Sequence, residues 1–308
     1  MGPPPLALGL ALGGPGDPRG WAEACALAAW ADRAGLDSLW LPEGHLRRDA
    51  PASPLLGLSA FAARTTRIRL ATTSLLISIH DPRRVAAEVA TLDQISNGRV
   101  VLGLGRGFEP AVLRAFGVDP REKRARFDAA LDAMLEAWRS GPPALRPVQQ
   151  PHPPLFVAAF GSLGLAQAAR RGLPYLASPL ESLAALERNF ARHAELLPPA
   201  AAKPPVAVMR TVHVAADAAQ ARRLRAAAEA EFAALAARAG GGALAEASAG
   251  AAHERVIIGE AGEVADAIAR YRERLGLELL VVRAAAQADA RERREALERL
   301  VGDVLPRL

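Results

Sequence analysis

Short apolar runs alternate along this chain with longer segments in which apolar residues recur every three or four positions. Residues 6–12, 38–41, 68–74, 100–104, 155–159, 175–177, 206–214 and 279–282 read as strands. Several are apolar on both faces, as parallel strands covered by helices must be. Between them the stripe Val85, Val89, Leu92, Ile95 predicts a helix. So do Phe127, Leu131, Met134, Leu135, Trp138, then Val264, Ile268, Tyr271, Leu275, and finally Leu297, Leu300, Val301, Val304, Leu305. Gly35 sits where the first helix of the chain should stop, Asn97-Gly98 where the Val85–Ile95 helix should, and Gly172 where the helix after Phe160 should.

Eight strands, each followed by a helix, in about 300 residues predict an α/β fold of the (β/α)8 TIM-barrel type. The alternative is a doubly wound open sheet with a cap. No mid-chain linker divides the sequence, because the Pro-rich stretch 141–154 is short and runs straight into a strand. Residues 1–308 therefore read as a single domain. The Gly- and Ala-rich segment 239–253 has no apolar period and reads as a mobile loop near the mouth.

Charge changes this picture little. There are 38 basic and 33 acidic residues, a net +5, and Lys123 and Lys203 are the only lysines. No basic run carries interleaved aromatics, so nucleic acid is not an expected partner. Cys25 stands alone in an alanine-rich helix, which excludes a disulfide within the chain and reads as a small core residue. The apolar start is too short to span a bilayer and lacks the flanks of a signal peptide, so a cytoplasmic protein with no membrane contact is expected.

In a barrel, chemistry stands at the C-terminal ends of strands. After the second strand, Glu43 and His45 place a carboxylate and an imidazole two residues apart, a candidate proton-transfer pair or a solvated loop. The third strand ends in hydroxyls at Thr72, Thr73 and Ser74. The fourth runs into Gly103-Leu104-Gly105-Arg106-Gly107, where glycines let a ligand approach the backbone and an arginine can grip a phosphate. The G-x-G-x-G spacing is not the dinucleotide fingerprint. Past the fifth strand, Gly161-Ser162 opens a helix whose free N–H groups suit an anion, so Arg106 and this start could hold two sides of one phosphate. His80 reads as part of a helix entry, and no histidine pair has metal-ligand spacing, so no metal is expected.

With Gly35-Leu36-Asp37-Ser38-Leu39-Trp40, Thr66-Arg67-Ile68-Arg69-Leu70, the run from Leu92 to Arg99, the glycines around Arg106 and Ala115-Phe116-Gly117-Val118-Asp119, the chain resembles the bacterial luciferase-like flavin-dependent oxidoreductases. The resemblance implies a barrel, usually dimeric, that holds a flavin at its mouth. It implies a monooxygenase using reduced FMN, supplied by a separate flavin reductase, and O2 to oxygenate a small organic substrate. It places Arg106, with Gly105 and Gly107, at the flavin phosphate, and Thr73-Ser74 at a strand bulge, often a non-proline cis peptide, behind the flavin ring. His45 with Glu43 would serve as acid and base.

Three positions depart from that family's pattern. Gly44 replaces the first of two histidines, Gly105 stands where the luciferase branch carries a reactive cysteine, and Phe160-Gly161 stands where a glutamate and serine open the fifth-strand loop, leaving Ser162 one place late. Two alternatives therefore remain: hydride transfer with F420, or a non-catalytic flavin-binding or partner subunit. Phe108, Phe160, Leu180, Arg210 and the 239–253 segment are the expected pocket walls.

Overall fold

The computed structural model describes residues 5–13, 20–46, 50–159, 161–238 and 254–308; Phe160 and the 239–253 segment lie outside them. Among the described residues nine strands, β1 (Ala7–Ala11), β2 (Ser38–Leu41), β3 (Arg69–Leu76), β4 (Val100–Gly105), β5 (Leu155–Ala159), β6 (Tyr175–Ala177), β7 (Ala207–Val214), β8 (Val256–Gly259) and β9 (Leu279–Arg283), form one sheet. Their order is β6-β5-β4-β3-β2-β1-β9-β7-β8, and β6 also pairs with β7. That last pairing closes eight strands into the ring of a (β/α)8 barrel. The ninth, β8, lies parallel to β7 over Thr211–Val214, beyond the Ala207–Thr211 stretch that β9 occupies. The expected strands did not include β8, a fully buried run of four residues directly before a helix.

Backbone contacts divide the chain into two compact units, Leu10–Ala158 and Ala159–Leu308 with the chain start through Gly9. The first unit carries helices α1 (Gly20–Arg33), α2 (Pro54–Ala62), α3 (Pro82–Ser96), α4 (Pro110–Ala115) and α5 (Lys123–Ser140). Its interior is built from the predicted stripes: Val85, Val89 and Leu92 of α3 and Phe127, Leu131, Met134 and Trp138 of α5 are buried. Each such large side chain contributes about 1.5–3 kcal/mol on leaving water. The Trp138 indole donates to the Ala86 carbonyl at 3.0 Å, tying α5 to α3. Ile95, at the end of the α3 stripe, is instead exposed. Cys25 is half-buried rather than a core residue.

Helix ends follow the sequence signals. The Asp81 carboxylate caps α3 by accepting from Arg84 N–H, Pro82 occupies the first turn, and Asn97 ends the helix in the left-handed conformation at φ 57°. Beyond it, Arg99 donates to the Ala62, Thr65, Ile68 and Ser96 carbonyls. The Asp93 carboxylate accepts from Gln149 N–H, the Gln149 side chain and Val100 N–H.

The second unit carries α6 (Ser162–Ala169), α7 (Leu183–Glu195), α8 (Ala218–Arg238), α9 (Ala261–Leu275) and α10 (Ala290–Arg299). Strand β7 is buried along its whole length, Arg210 and His213 included. Among the described residues, no helix is long and apolar enough to cross a membrane.

Candidate functional site

Strand β2 delivers Glu43 to the strand-end loop, where its side chain is wholly buried. A buried carboxylate needs donors. Glu43 Oε2 accepts the Leu76 N–H at 2.7 Å, and Oε1 meets His45 Nε2 at 2.6 Å. The expected Glu43–His45 pair is therefore assembled. A third member comes from the entrance to α3: His80 Nε2 also meets Glu43 Oε1, at 2.6 Å. The sequence hid this group, since 37 residues separate it from Glu43 and no local spacing marks it. Hydrogen bonding to Glu43 raises the proton affinity of His80, partial burial opposes it, and the charges of Glu43 and Glu88 add to the rise. The Phe116 ring packs on His45 at 4.5 Å between centroids and is itself 41% exposed.

The three side chains offer ligand-type atoms within 4.8 Å of one another. Their 2.6 Å N···O separations are those of hydrogen bonds. Two ligands of one tetrahedral zinc ion, each about 2.0–2.1 Å from it, would stand about 3.3 Å apart. The cluster is accordingly read as a hydrogen-bonded one.

Strand β3 ends beside it. The Thr73–Ser74 peptide is cis, and the pairing of β3 with β4 slips by one residue between Thr73 and Leu75. Thr73 and Ser74 are half-buried, whereas Thr72 is fully enclosed and donates to the Gly103 carbonyl at 2.9 Å. Gly105 faces Ser74 so closely that an added Cβ would collide with the Ser74 hydroxyl. Gly107 has φ +73°, which favours glycine.

Arg106 follows directly, half-buried, with Nη2 donating to the Ala158 carbonyl at 3.3 Å. Burial, reinforced by the positive charge of Arg124, pushes its guanidinium down to about 10, and Asp128 partly offsets this. At the start of α5, Lys123 is lowered as well, by burial first and then by Arg124 and Arg106. Three cations thus share one corner at the mouth of this unit, a donor set that suits a phosphate. Sequence reasoning found Arg106 alone, because Lys123 and Arg124 open a helix and look like an ordinary solvated face.

In the second unit, Gly161 is the N-cap of α6 at φ +84°, and Ser162 is its exposed first residue. Arg210 is not a pocket wall. It is fully buried, and it donates to the Tyr271 hydroxyl and the Ser178, Met209 and Glu181 carbonyls, fixing the loop after β6. Leu180 packs on the Leu224, Phe232, Val256 and Ile258 cluster, and Phe108 is 54% exposed.

Comparison with known proteins decides the family. Residues 7–279 match the family model for luciferase-like monooxygenases. The chain belongs to that family. The oxygenase component of the flavin-dependent trigonelline monooxygenase of Acinetobacter baylyi is 31% identical over 146 residues, 42% of this chain and 40% of that one. The matched stretch spans less than half the length of the curated relatives. The monooxygenase RslO1 of Streptomyces bottropensis superposes with a TM-score of 0.81 at 25% identity, covering 98% of this chain and 99% of that one. The oxygenating constituent of 3,6-diketocamphane monooxygenase of Pseudomonas putida, in complex with FMN, has the same fold: TM-score 0.81, 20% identity, coverage 98% and 99%.

Proposed function

We propose that this chain is a luciferase-like oxygenase that takes reduced FMN from a separate reductase and uses O2 to oxygenate a small organic substrate. Family membership supports an oxidoreductase, and the relative named as an oxygenase component supports a separate reductase. The observation that carries the FMN reading is the half-buried Arg106 with Lys123 and Arg124 beside it. Such a corner suits the terminal phosphate of FMN. Gly105 and Gly107 keep side chains off the approach, and Thr73 and Ser74 line the strand end behind the ring. Gly161 and Ser162, at the start of α6, present amides suited to an anion in their own unit.

Reduced flavin bound there would supply the electrons with which O2 is activated. His45, held by Glu43, would move a proton at the reacting centre, and the exposed Phe116 and Phe108 favour an apolar or planar substrate. The reading includes a homodimer working in the cytoplasm. F420-dependent hydride transfer is the alternative.

Titrating FMN, riboflavin and F420 into the protein tests this. FMN should bind about tenfold or more tighter than riboflavin, which lacks the phosphate, and Arg106→Gln should remove most of that difference. Equal affinity for FMN and riboflavin would defeat the phosphate assignment, and tighter F420 binding would favour the alternative.

A further inference from the structure

Both imidazoles of the Glu43 cluster approach the same oxygen, and this fixes where hydrogens stand. His45 Nε2 and His80 Nε2 each lie 2.6 Å from Glu43 Oε1. An ionised carboxylate oxygen only accepts, so each nitrogen must bring its own hydrogen. A protonated Glu43 could supply one hydrogen for two rings, and its other oxygen already takes the Leu76 N–H. With Glu43 ionised, both rings carry hydrogen on Nε2, and any lone pair left to His45 is on Nδ1.

One buried carboxylate balances one imidazolium, whereas two would leave an uncompensated positive charge in a partly buried site. The two rings differ in surroundings. His45 has a 13% exposed side chain and lies under Phe116, whereas His80 is 29% exposed. Facing His80 are Glu43 and His45 from the loop after β2, Glu88 from α3, and the uncharged Phe116 ring after α4. Acidic neighbours and water both favour the charged ring there.

We propose that His80 is a positioning residue that holds the cluster's proton in the resting protein, leaving His45 neutral with Nδ1 bare as the base. This rests on the oxygenase reading only for the word base. A proton taken up at His45 Nδ1 makes a second imidazolium on one carboxylate, so His80 must release its proton to water for the cluster to stay balanced.

The test is ¹⁵N ring spectroscopy of the flavin-free protein labelled at histidine, which is indifferent to whether FMN binds. At neutral pH, His80 should show the imidazolium pattern and His45 the neutral pattern with hydrogen on Nε2. As pH rises and His80 loses its proton, the His45 signals should move in the same transition. In His80→Gln, which keeps an N–H donor for Glu43 but cannot hold a proton, the imidazolium fraction of His45 at that pH should rise. A neutral His80 at neutral pH, or His45 signals blind to the titration of His80, would overturn the proposal in the unaltered protein alone. An unchanged His45 in folded His80→Gln would do the same. FMN that fails to bind while these shifts occur would count against the oxygenase reading and not against the shared proton.

Discussion

The Ser74 side chain fills the space that a Cβ at Gly105 would need. Such an atom would collide with the Ser74 hydroxyl and lie 3.0 Å from the Ser74 Cβ, so rotation of the hydroxyl alone does not relieve it. The glycine and the serine are one fitted pair, and any side chain at position 105 must first displace Ser74. Gly105→Ala should destabilise the fold by about 1–3 kcal/mol, the usual cost of overpacking. Adding Ser74→Ala should restore more than half of that loss, because it removes the nearer of the two Ser74 atoms and leaves only the looser Cβ contact. Urea unfolding of the two single variants and the double variant measures the coupling. Additive losses would show that the two positions do not compete for one space.

The barrel was legible because its signals are local. The α3 stripe, the Asp81 cap with Pro82 behind it, and Asn97-Gly98 at the stop each lie within a few residues of what they specify. The run from Leu92 to Arg99 resembles the family's pattern, and in the structure its polar members hold architecture. Asp93 anchors Gln149 and Val100, and Arg99 ties the α3 turn to the end of α2 and the approach to β3. The site was half legible. Glu43 and His45 are two residues apart and could be paired by eye, whereas His80 and the cations at α5 reach their partners only through the fold. Arg210, expected in a pocket wall, instead sends its donors to the loop after β6 and to Tyr271.

Lys123 and Arg124 should contribute to FMN affinity through charge rather than shape. Arg124 lowers both Arg106 and Lys123, and Arg106 lowers Lys123, the mark of like charges brought close together. Arg124→Ala should weaken FMN binding by roughly 3- to 10-fold and flatten its dependence on ionic strength, since a screened attraction has been removed. Lys203→Ala, at an exposed position, is the control and should change neither. Titrations at low and high salt read both effects. An Arg124→Ala protein with unaltered affinity at low salt would place the phosphate elsewhere.

Asp32 should govern the acid limb of stability. Its carboxylate, near the end of α1, accepts Thr66 N–H at 2.8 Å, Arg67 N–H at 3.0 Å and Ile68 N–H at 2.7 Å, clamping the turn that leads into β3. Burial pushes the carboxyl up, but these backbone donors and the Thr66 hydroxyl outweigh it and hold it below the ordinary carboxylate value. A group lowered on folding stabilises the native state above its unfolded value of about 3.9, and that contribution drains away as pH falls through the lower folded value. Asp32→Asn, whose amide cannot satisfy the same donors, should cost about 2–3 kcal/mol at pH 7. The gap between variant and unaltered protein should narrow as pH is taken below about 4, where the unfolded carboxyl begins to protonate and the native one follows at lower pH. Urea midpoints for both proteins from pH 7 to pH 3 check it. Curves that stay parallel across that range would mean the clamp draws nothing from the charge of Asp32.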